Sequence, residues 1–485
     1  MKILVISYFN SWNTHFGTEL ELAQVHLDRG DDVEFLGCDR CLVVCEGNPT
    51  GKTSKCDKCR LRRSGGLSLL SRTIREHHLG DYLPAEAIVA EAAINETIRD
   101  TETAEKFTLA GHDFGDGALS SAIWSSRDPF CETEATMEIL RNYARSAVRS
   151  YLAVREFLRK HPEFNRVYVF NGRFASTRGA LRACQEAEGV EVVTHERGAN
   201  IGKYGLFLNA MPHDRMLWVS ETERAWAAAP SLEVATEIGS AFFRDRKIGA
   251  NTEWYSFIEK QEAGKLPAGW DPARKNVVIF NSSEDEFVGM GDEWKNPIYK
   301  FQADGIRRIV DDAINRYPDI MFYIRVHPNL TGVNNRDTGL IGDLKNSARR
   351  NVVVIEPDSV ISSYSLLDAA HQVITFGSTM GVEATFWGKP SILAGRSFYE
   401  DMDAAYQVGS HEELMDLVGS DIESKPQIHA IRYGYYTKTF GEDFKYWKAT
   451  DYSTGTFKGQ SLKCEPSSML VRRLMVAYRD FRGRG

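Results

Sequence analysis

The sequence lacks any apolar run near the ~18 residues needed to cross a bilayer, so no spanning helix is expected. Its opening, Met1 to Trp12, stops being apolar at Asn10. That is too brief and too β-branched for the core of a signal peptide, and the segment is expected to be a first strand of a cytoplasmic protein. A basic excess is also missing. With 59 Lys+Arg against 67 Asp+Glu, the net charge is -8 and the chain carries no electrostatic footprint for nucleic acid. Nor is there a signature of disorder: 42% hydrophobic and 26% charged residues over 485 suffice for two or three domains with cores.

Cysteine is sparse except in one place. Cys131, Cys184 and Cys464 stand alone, whereas Cys38, Cys41, Cys45, Cys56 and Cys59 crowd a single segment. In a reducing compartment such crowding points to metal rather than disulfides. Four thiolates from two short loops match a structural tetrahedral zinc site, and the same set suits a [4Fe–4S] cluster. Lys52, Lys55, Lys58, Arg60, Arg62 and Arg63 make the segment basic, which fits a solvated surface or an anionic glycan or lipid phosphate.

The rest is an α/β rhythm. Met1–Phe9 reads as a strand, Thr18–Arg29 as a helix and Asp32–Leu36 as a second strand, a βαβ unit whose strands are parallel. The pattern weakens into a helical insertion over 61–160, with no convincing strand up to Cys131. Within it Leu140, Ala144, Ala147, Tyr151, Val154 and Leu158 mark one face of a long helix. Strands at Arg166–Phe170 and Val190–Thr194 end in Asn171-Gly172-Arg173 and His195-Glu196-Arg197-Gly198. In an open parallel sheet such ends border the ligand.

The expected domains are 1–215 with the Cys-rich loop 38–59, a connection over 216–271, a second Rossmann-like domain over 272–430 and a helical segment over 431–485. In the second, strands at 276–280, 321–326, 351–355, 372–375 and 391–394 alternate with helices at 301–316 and 363–370. Ser467 to Phe481 reads as a basic amphipathic helix that packs back on the body, with peripheral association at the inner face of the cell membrane as the alternative.

The clearest chemical constellation is Val373 to Leu393. A buried strand runs into Gly377, which allows close backbone approach, and Ser378 or Thr379 caps the next helix, whose free N–H groups attract phosphate. Glu383, inside that helix, has the wrong charge for phosphate and suits a ribose. Arg325-Val326-His327-Pro328 supplies a cation and an imidazole at a strand end. Asn281, Ser282 and Ser283 end the first strand of the same lobe.

On these motifs, residues 276–399 resemble the nucleotide-binding lobe of GT-B glycosyltransferases, and among them bacterial capsule polysaccharide biosynthesis transferases. The non-hydrolysing nucleotide-sugar 2-epimerases share that lobe. The resemblance implies two Rossmann-like domains facing across a cleft, and a nucleotide-sugar bound by Arg325, His327, Ser378, Thr379 and Glu383. It implies a glycan or lipid-linked acceptor on the N-terminal lobe, and catalysis without a divalent cation because dipole and cations offset the leaving-group charge. A base is then expected among Glu196, Glu19 and His15. The resemblance also favours Cys38, Cys45, Cys56 and Cys59 as metal ligands, since similar transferases lack a counterpart of Cys41. A set of Cys38, Cys41, Cys56 and Cys59 competes. Transfer of a sugar to an acceptor is the leading expectation. The alternatives are 2-epimerisation and a non-catalytic, metal-stabilised glycan-binding or assembly module.

Overall fold

The computed structural model describes residues 1–250, 261–345 and 350–462, so the helix expected at Ser467 to Phe481 lies outside the described residues. No helix among them is long and apolar enough to cross a membrane. The chain forms two compact units. One holds Met1–Ser126, Phe130–Pro212 and the described residues from Gly441, and the other holds Arg127–Pro129 and His213–Phe440.

In the first unit, strands β1 (Lys2–Ser7), β2 (Asp32–Gly37), β3 (Arg75–His78), β4 (Arg166–Phe170), β5 (Glu191–Arg197) and β6 (Lys203–Leu208) form one sheet. Its order is β6-β5-β4-β1-β2-β3, extended beyond β6 by the short strand Glu442–Asp443. β1 pairs in parallel with β2 and β4, with Val5 opposite Phe35 and Tyr168. As a central strand covered on both faces it reads as an unbroken apolar run, and Ile3 and Val5 are completely buried. Helix α1 (Asn13–Asp28) crosses from β1 to β2 and buries Phe16, Leu20 and Ala23 in the same core.

The long helix Glu134–Lys160 starts at a capping box in which Thr133 accepts from the Thr136 N–H at 3.1 Å. Its face of Leu140, Ala144, Ala147, Tyr151, Val154 and Leu158 is buried. It lies against the helix Ala175–Glu186, where a Cβ on Gly179 would strike the Ala147 carbonyl.

Three features differ from the sequence expectation. β3 lies in the stretch read as free of strands, because Arg75-Glu76-His77-His78 has no apolar alternation and is held at the sheet edge by polar partners. His77 Nε2 lies 2.5 Å from Glu34, and Arg63 Nη2 lies 2.6 Å from Glu76. β5 does not stop at Thr194 but continues through His195, Glu196 and Arg197 and turns back into β6, which is antiparallel, with Glu196 opposite Gly205. The stretch from Gly441, expected to be helical, is strand. Trp447–Ala449, Gly455–Phe457 and Gln460–Ser461 make a small antiparallel sheet. Its Trp447 ring lies over Gly17 of α1, where any Cβ would collide with it. The buried Glu21 carboxylate accepts the N–H groups of Lys445, Tyr446 and Trp447, each at 2.8 Å.

In the second unit, β7 (Asn276–Asn281), β8 (Met321–Arg325), β9 (Val352–Ile355), β10 (Gln372–Phe376), β11 (Ser391–Leu393) and β12 (Tyr406–Gln407) are all parallel, ordered β12-β11-β10-β7-β8-β9. Each of the five strands read from the sequence here is found within a residue or two of its expected ends. The connections run outward from β7 through β8 to β9, then return to place β10 on the other side of β7. That reversal is a topological switch point, where an open sheet presents a crevice at its carboxyl edge. Val277, Ile279, Phe322, Ile324 and Ile374 fill the core on one face, and Val278, Phe280, Tyr323 and Val373 fill it on the other.

Candidate functional site

The carboxyl ends of β10, β7 and β8 bring together the segments singled out in the second lobe. Ser282 Oγ donates to the Phe376 carbonyl at 2.7 Å, tying the end of β7 to the turn at Gly377. Asn281 Oδ1 accepts the His327 N–H at 2.9 Å, tying it to β8. Gly377 has φ +80°, and a Cβ there would meet the Arg396 carbonyl at 2.8 Å, so the turn needs glycine. Ser378 Oγ accepts the Met380 N–H at 3.3 Å at the start of the helix Met380–Phe386. Thr379 sits at its N-cap position, but its hydroxyl donates to Glu383 at 3.0 Å instead of capping.

His327 Nδ1 accepts the Asn329 N–H at 3.2 Å, which leaves the proton on Nε2. Burial, together with the Arg325 and Arg127 cations, pushes its pKa down to about 4. It is therefore a neutral imidazole at physiological pH, able to donate from Nε2 to an oxyanion.

Two expected donor residues are engaged within the protein. Arg325 is only 2% exposed, and its guanidinium donates to the carbonyls of Val326, Glu356 and Ser359. It braces the loop after β9, which departs from the expected fork onto phosphate. Glu383 is fully buried, and its carboxylate accepts from Thr379, from the Tyr364 hydroxyl and from Arg246 Nε at 3.2 Å. It orients the helix start from below rather than offering oxygens to a ribose.

Sequence inspection missed Arg246. It comes from the helix Leu232–Lys247 in the stretch read as a connection, and it also reaches Thr379 Oγ1 at 3.2 Å. Burial opposes its charge, but Glu383, Tyr364 and Tyr433 together outweigh burial and hold the proton on. Arg127 was missed too. Its Nη1 lies 2.5 Å from Asp285, and its Nη2 donates to the Asn329 carbonyl at 3.1 Å, placing a cation beside Ser283 and His327. Neither arginine has a local motif. The chain's Asp-x-Asp, Asp401-Met402-Asp403, is divided between two cations, Asp401 facing Arg215 at 3.1 Å and Asp403 facing Lys425 at 2.7 Å.

The first unit has its own switch point between β1 and β4, and two of the three expected bases meet there. His15 Nδ1 lies 3.8 Å from Glu196 Oε1. Glu196 is fixed by Asn171 Nδ2 at 2.6 Å and by the Arg197 N–H at 2.9 Å. Burial and the Arg197 cation hold His15 well below the usual imidazole range, so the pair is a neutral ring beside a carboxylate. His195 is completely buried with neither ring nitrogen hydrogen-bonded, and burial pushes its pKa down to about 3. Glu19 belongs elsewhere. It accepts from Ser7, whose oxygen accepts from Asn10 Nδ2 at 2.5 Å, and burial pushes its pKa up to about 8.

Cys38, Cys45, Cys56 and Cys59 line a single cavity of about 300 Å³ next to the end of β1. Cys41 is not among its walls, and its carbonyl accepts from Arg149 at 2.7 Å. Burial pushes the Cys59 thiol up to about 11 and raises Cys38 and Cys45 as well. Among the described residues, one set of three potential metal-binding side chains has ligand atoms within 4.8 Å of one another: Asp312, His411 and Glu412. Arg316 already pairs with both of its carboxylates, at 2.8 and 2.6 Å.

The second unit thus defines an α/β lobe with polar side chains gathered at its switch point. Residues 275–416, the span containing them, match the capsule polysaccharide biosynthesis protein family. The likeness read from Arg325-Val326-His327-Pro328 and the Gly377 turn is therefore shown over this segment. No curated protein matches the chain. Among solved structures, the KpsC β-Kdo 2,4 transferase of Thermosulfurimonas dismutans is 17% identical over 56% of this chain and 79% of that one, with a TM-score of 0.36. The UDP-GlcNAc 2-epimerase of Neisseria meningitidis bound to UDP-GlcNAc is 13% identical over 98% and 100%, with a TM-score of 0.25. At such scores the family match on 275–416 is what stands.

Proposed function

We propose that the protein is a glycosyltransferase of capsule polysaccharide biosynthesis that takes a sugar from a nucleotide donor held by the second unit. The observation that carries this is the coincidence of the family match with a cluster of polar residues at three adjacent strand ends. There hydrogen bonds tie Ser282 to the strand end before Gly377 and Ser378, and Asn281 to His327, with Ser283 next in the chain. Small hydroxyls, a glycine backbone and a neutral imidazole are what a phosphate oxygen needs at close range.

The His327 Nε2–H and the Arg127 cation stabilise the negative charge that develops on the departing nucleotide phosphate. Catalysis therefore needs no divalent cation. Glu196, oriented by Asn171 and backed by His15, takes the proton of the acceptor hydroxyl, which a glycan or lipid-linked acceptor supplies to the first unit. A nucleotide-sugar is a cytosolic metabolite, and the reaction belongs on that side of the membrane, with a lipid-linked acceptor bringing the protein to its inner face.

The test is a thermal-shift screen with CMP-, UDP-, GDP- and dTDP-sugars, followed by turnover of the stabilising donor with and without acceptor, in the presence of EDTA. One donor class is expected to raise Tm, and transfer is expected to need acceptor and survive EDTA. Donor conversion without acceptor would assign an epimerase. Absence of any shift would overturn the donor site and leave a binding or assembly module.

A further inference from the structure

The cysteine cavity has features that the proposed sugar transfer does not use. Cys38 follows β2, Cys45 lies in the loop beyond it, and Cys56 and Cys59 stand three residues apart in the first two turns of helix α2 (Thr53–Leu67). That spacing puts both sulfurs on one helix face. The loop between the halves is shaped by Asn48. Its backbone pairs with Cys45, its Oδ1 accepts the Lys52 N–H at 2.9 Å, and its Nδ2 lies 3.2 Å from Cys56 Sγ. Cys59 Sγ lies 3.6 Å from both the Tyr8 carbonyl and Asn10 Oδ1.

The scale of the cavity discriminates between metals. A zinc ion with bonds of about 2.3 Å draws four sulfurs to within about 3.8 Å of one another, closed around a single atom. Here, among the described residues, no three of the cysteine sulfurs lie within 4.8 Å of each other. They surround about 300 Å³, room for about ten waters at roughly 30 Å³ each. A cubane takes one thiolate at each iron corner and so needs its sulfurs apart, around a volume. The other walls include Arg40, Lys55, Lys58, Arg60 and Arg62, cations that suit a ligated cluster of net negative charge.

We propose that this cavity binds a [4Fe–4S] cluster through Cys38, Cys45, Cys56 and Cys59, with Cys41 outside the ligand set. Each thiol passes its proton to the thiolate it displaces from one iron of a preformed, thiolate-ligated cluster, with no net electron transfer. Asn48 donates to the Cys56 sulfur. The inference is independent of the donor site.

The test uses the full-length protein produced and purified without oxygen. It is expected to hold about four irons and about four acid-labile sulfides per chain, with a broad visible absorption that bleaches on reduction. Replacing Cys38, Cys45, Cys56 or Cys59 by Ser is expected to lower bound iron and sulfide at least several-fold, and Cys41→Ser to leave both unchanged. One zinc per chain without iron, a chain without metal, or equal iron loss in Cys41→Ser and Cys45→Ser would each overturn the assignment. Should the serine variants be insoluble, the iron, sulfide and zinc content of the unaltered protein decides.

Discussion

At the switch point of the second unit the strand ends carry small hydroxyls, an amide and a glycine. At that of the first unit they carry rings. Trp12 lies 5.9 Å from Phe170, 6.1 Å from Phe174 and 5.4 Å from Trp124, and the His15 ring sits 4.0 Å from Phe170. One strand plan is thus furnished for two purposes. Close packing of N–H and hydroxyl groups around a turn suits an anion. An aromatic surround lowers the polarity near Glu196 and His15 and keeps the imidazole uncharged, which suits proton removal from a neutral hydroxyl. The comparison breaks if a change in one unit alters the property assigned to the other.

The largest effect is expected from Glu196→Gln. The amide keeps the shape but cannot take a proton, so kcat should fall by about 10² to 10⁴-fold. Donor affinity, read by calorimetry on the same preparation, should stay within about twofold. A comparable loss in both quantities would tie Glu196 to the donor and erase the contrast between the units.

The difference between the units also explains what could be read from the sequence. The donor lobe was legible because its determinants are contiguous. Val373 to Gly388 contains a strand, its turn and a helix start, and Arg325 to Pro328 is another strand end, so each motif shows residue type and local geometry together. The roles of Arg325 and Glu383 were not legible, because a side chain's partner is a tertiary fact: three carbonyls for one, Arg246 and Tyr364 for the other. In the first unit His15, Asn171 and Glu196 are brought together only by the order β1-β4-β5. The extension of β5 through His195-Glu196-Arg197 was hidden because polar residues at the end of a strand look like a loop. Arg127 had no signal at all, being a lone cation with φ +57° far in sequence from the groups it meets.

Next in size is Glu383→Ala, which leaves the partly exposed Arg246 cation without its carboxylate. The second unit should lose about 2–3 kcal/mol, less than the roughly 3–5 kcal/mol of a fully buried pair, because Arg246 keeps some access to water. Chemical denaturation should show the loss, and the iron content of the first unit should be unaffected. A variant as stable as the parent that binds donor more weakly would instead place Glu383 on the ribose. Ser378→Ala is milder. Losing one hydroxyl hydrogen bond to the charged phosphate is worth about 1.5 kcal/mol, a weakening of donor binding by about tenfold. Unchanged affinity would move the phosphate away from the Gly377 turn.

The smallest effect on turnover sharpens the comparison inside the first unit, where Glu19 stands apart from Glu196. Burial raises the Glu19 pKa from an ordinary 4.5 to about 8. The folded state therefore keeps a proton that the unfolded chain releases above 4.5, and folding binds more protons than unfolding between the two values. Its contribution to stability is full below pH 4.5 and is lost as pH rises toward and through about 8. In Glu19→Gln the side chain stays neutral and still accepts from Ser7, so the decline in Tm between about pH 5 and about pH 8 should be shallower than in the parent. Activity at neutral pH should change little, because Glu19 faces Ser7 and Asn10 rather than the His15–Glu196 pair. An unaltered slope with a collapse of turnover would make Glu19 the base and Glu196 its scaffold.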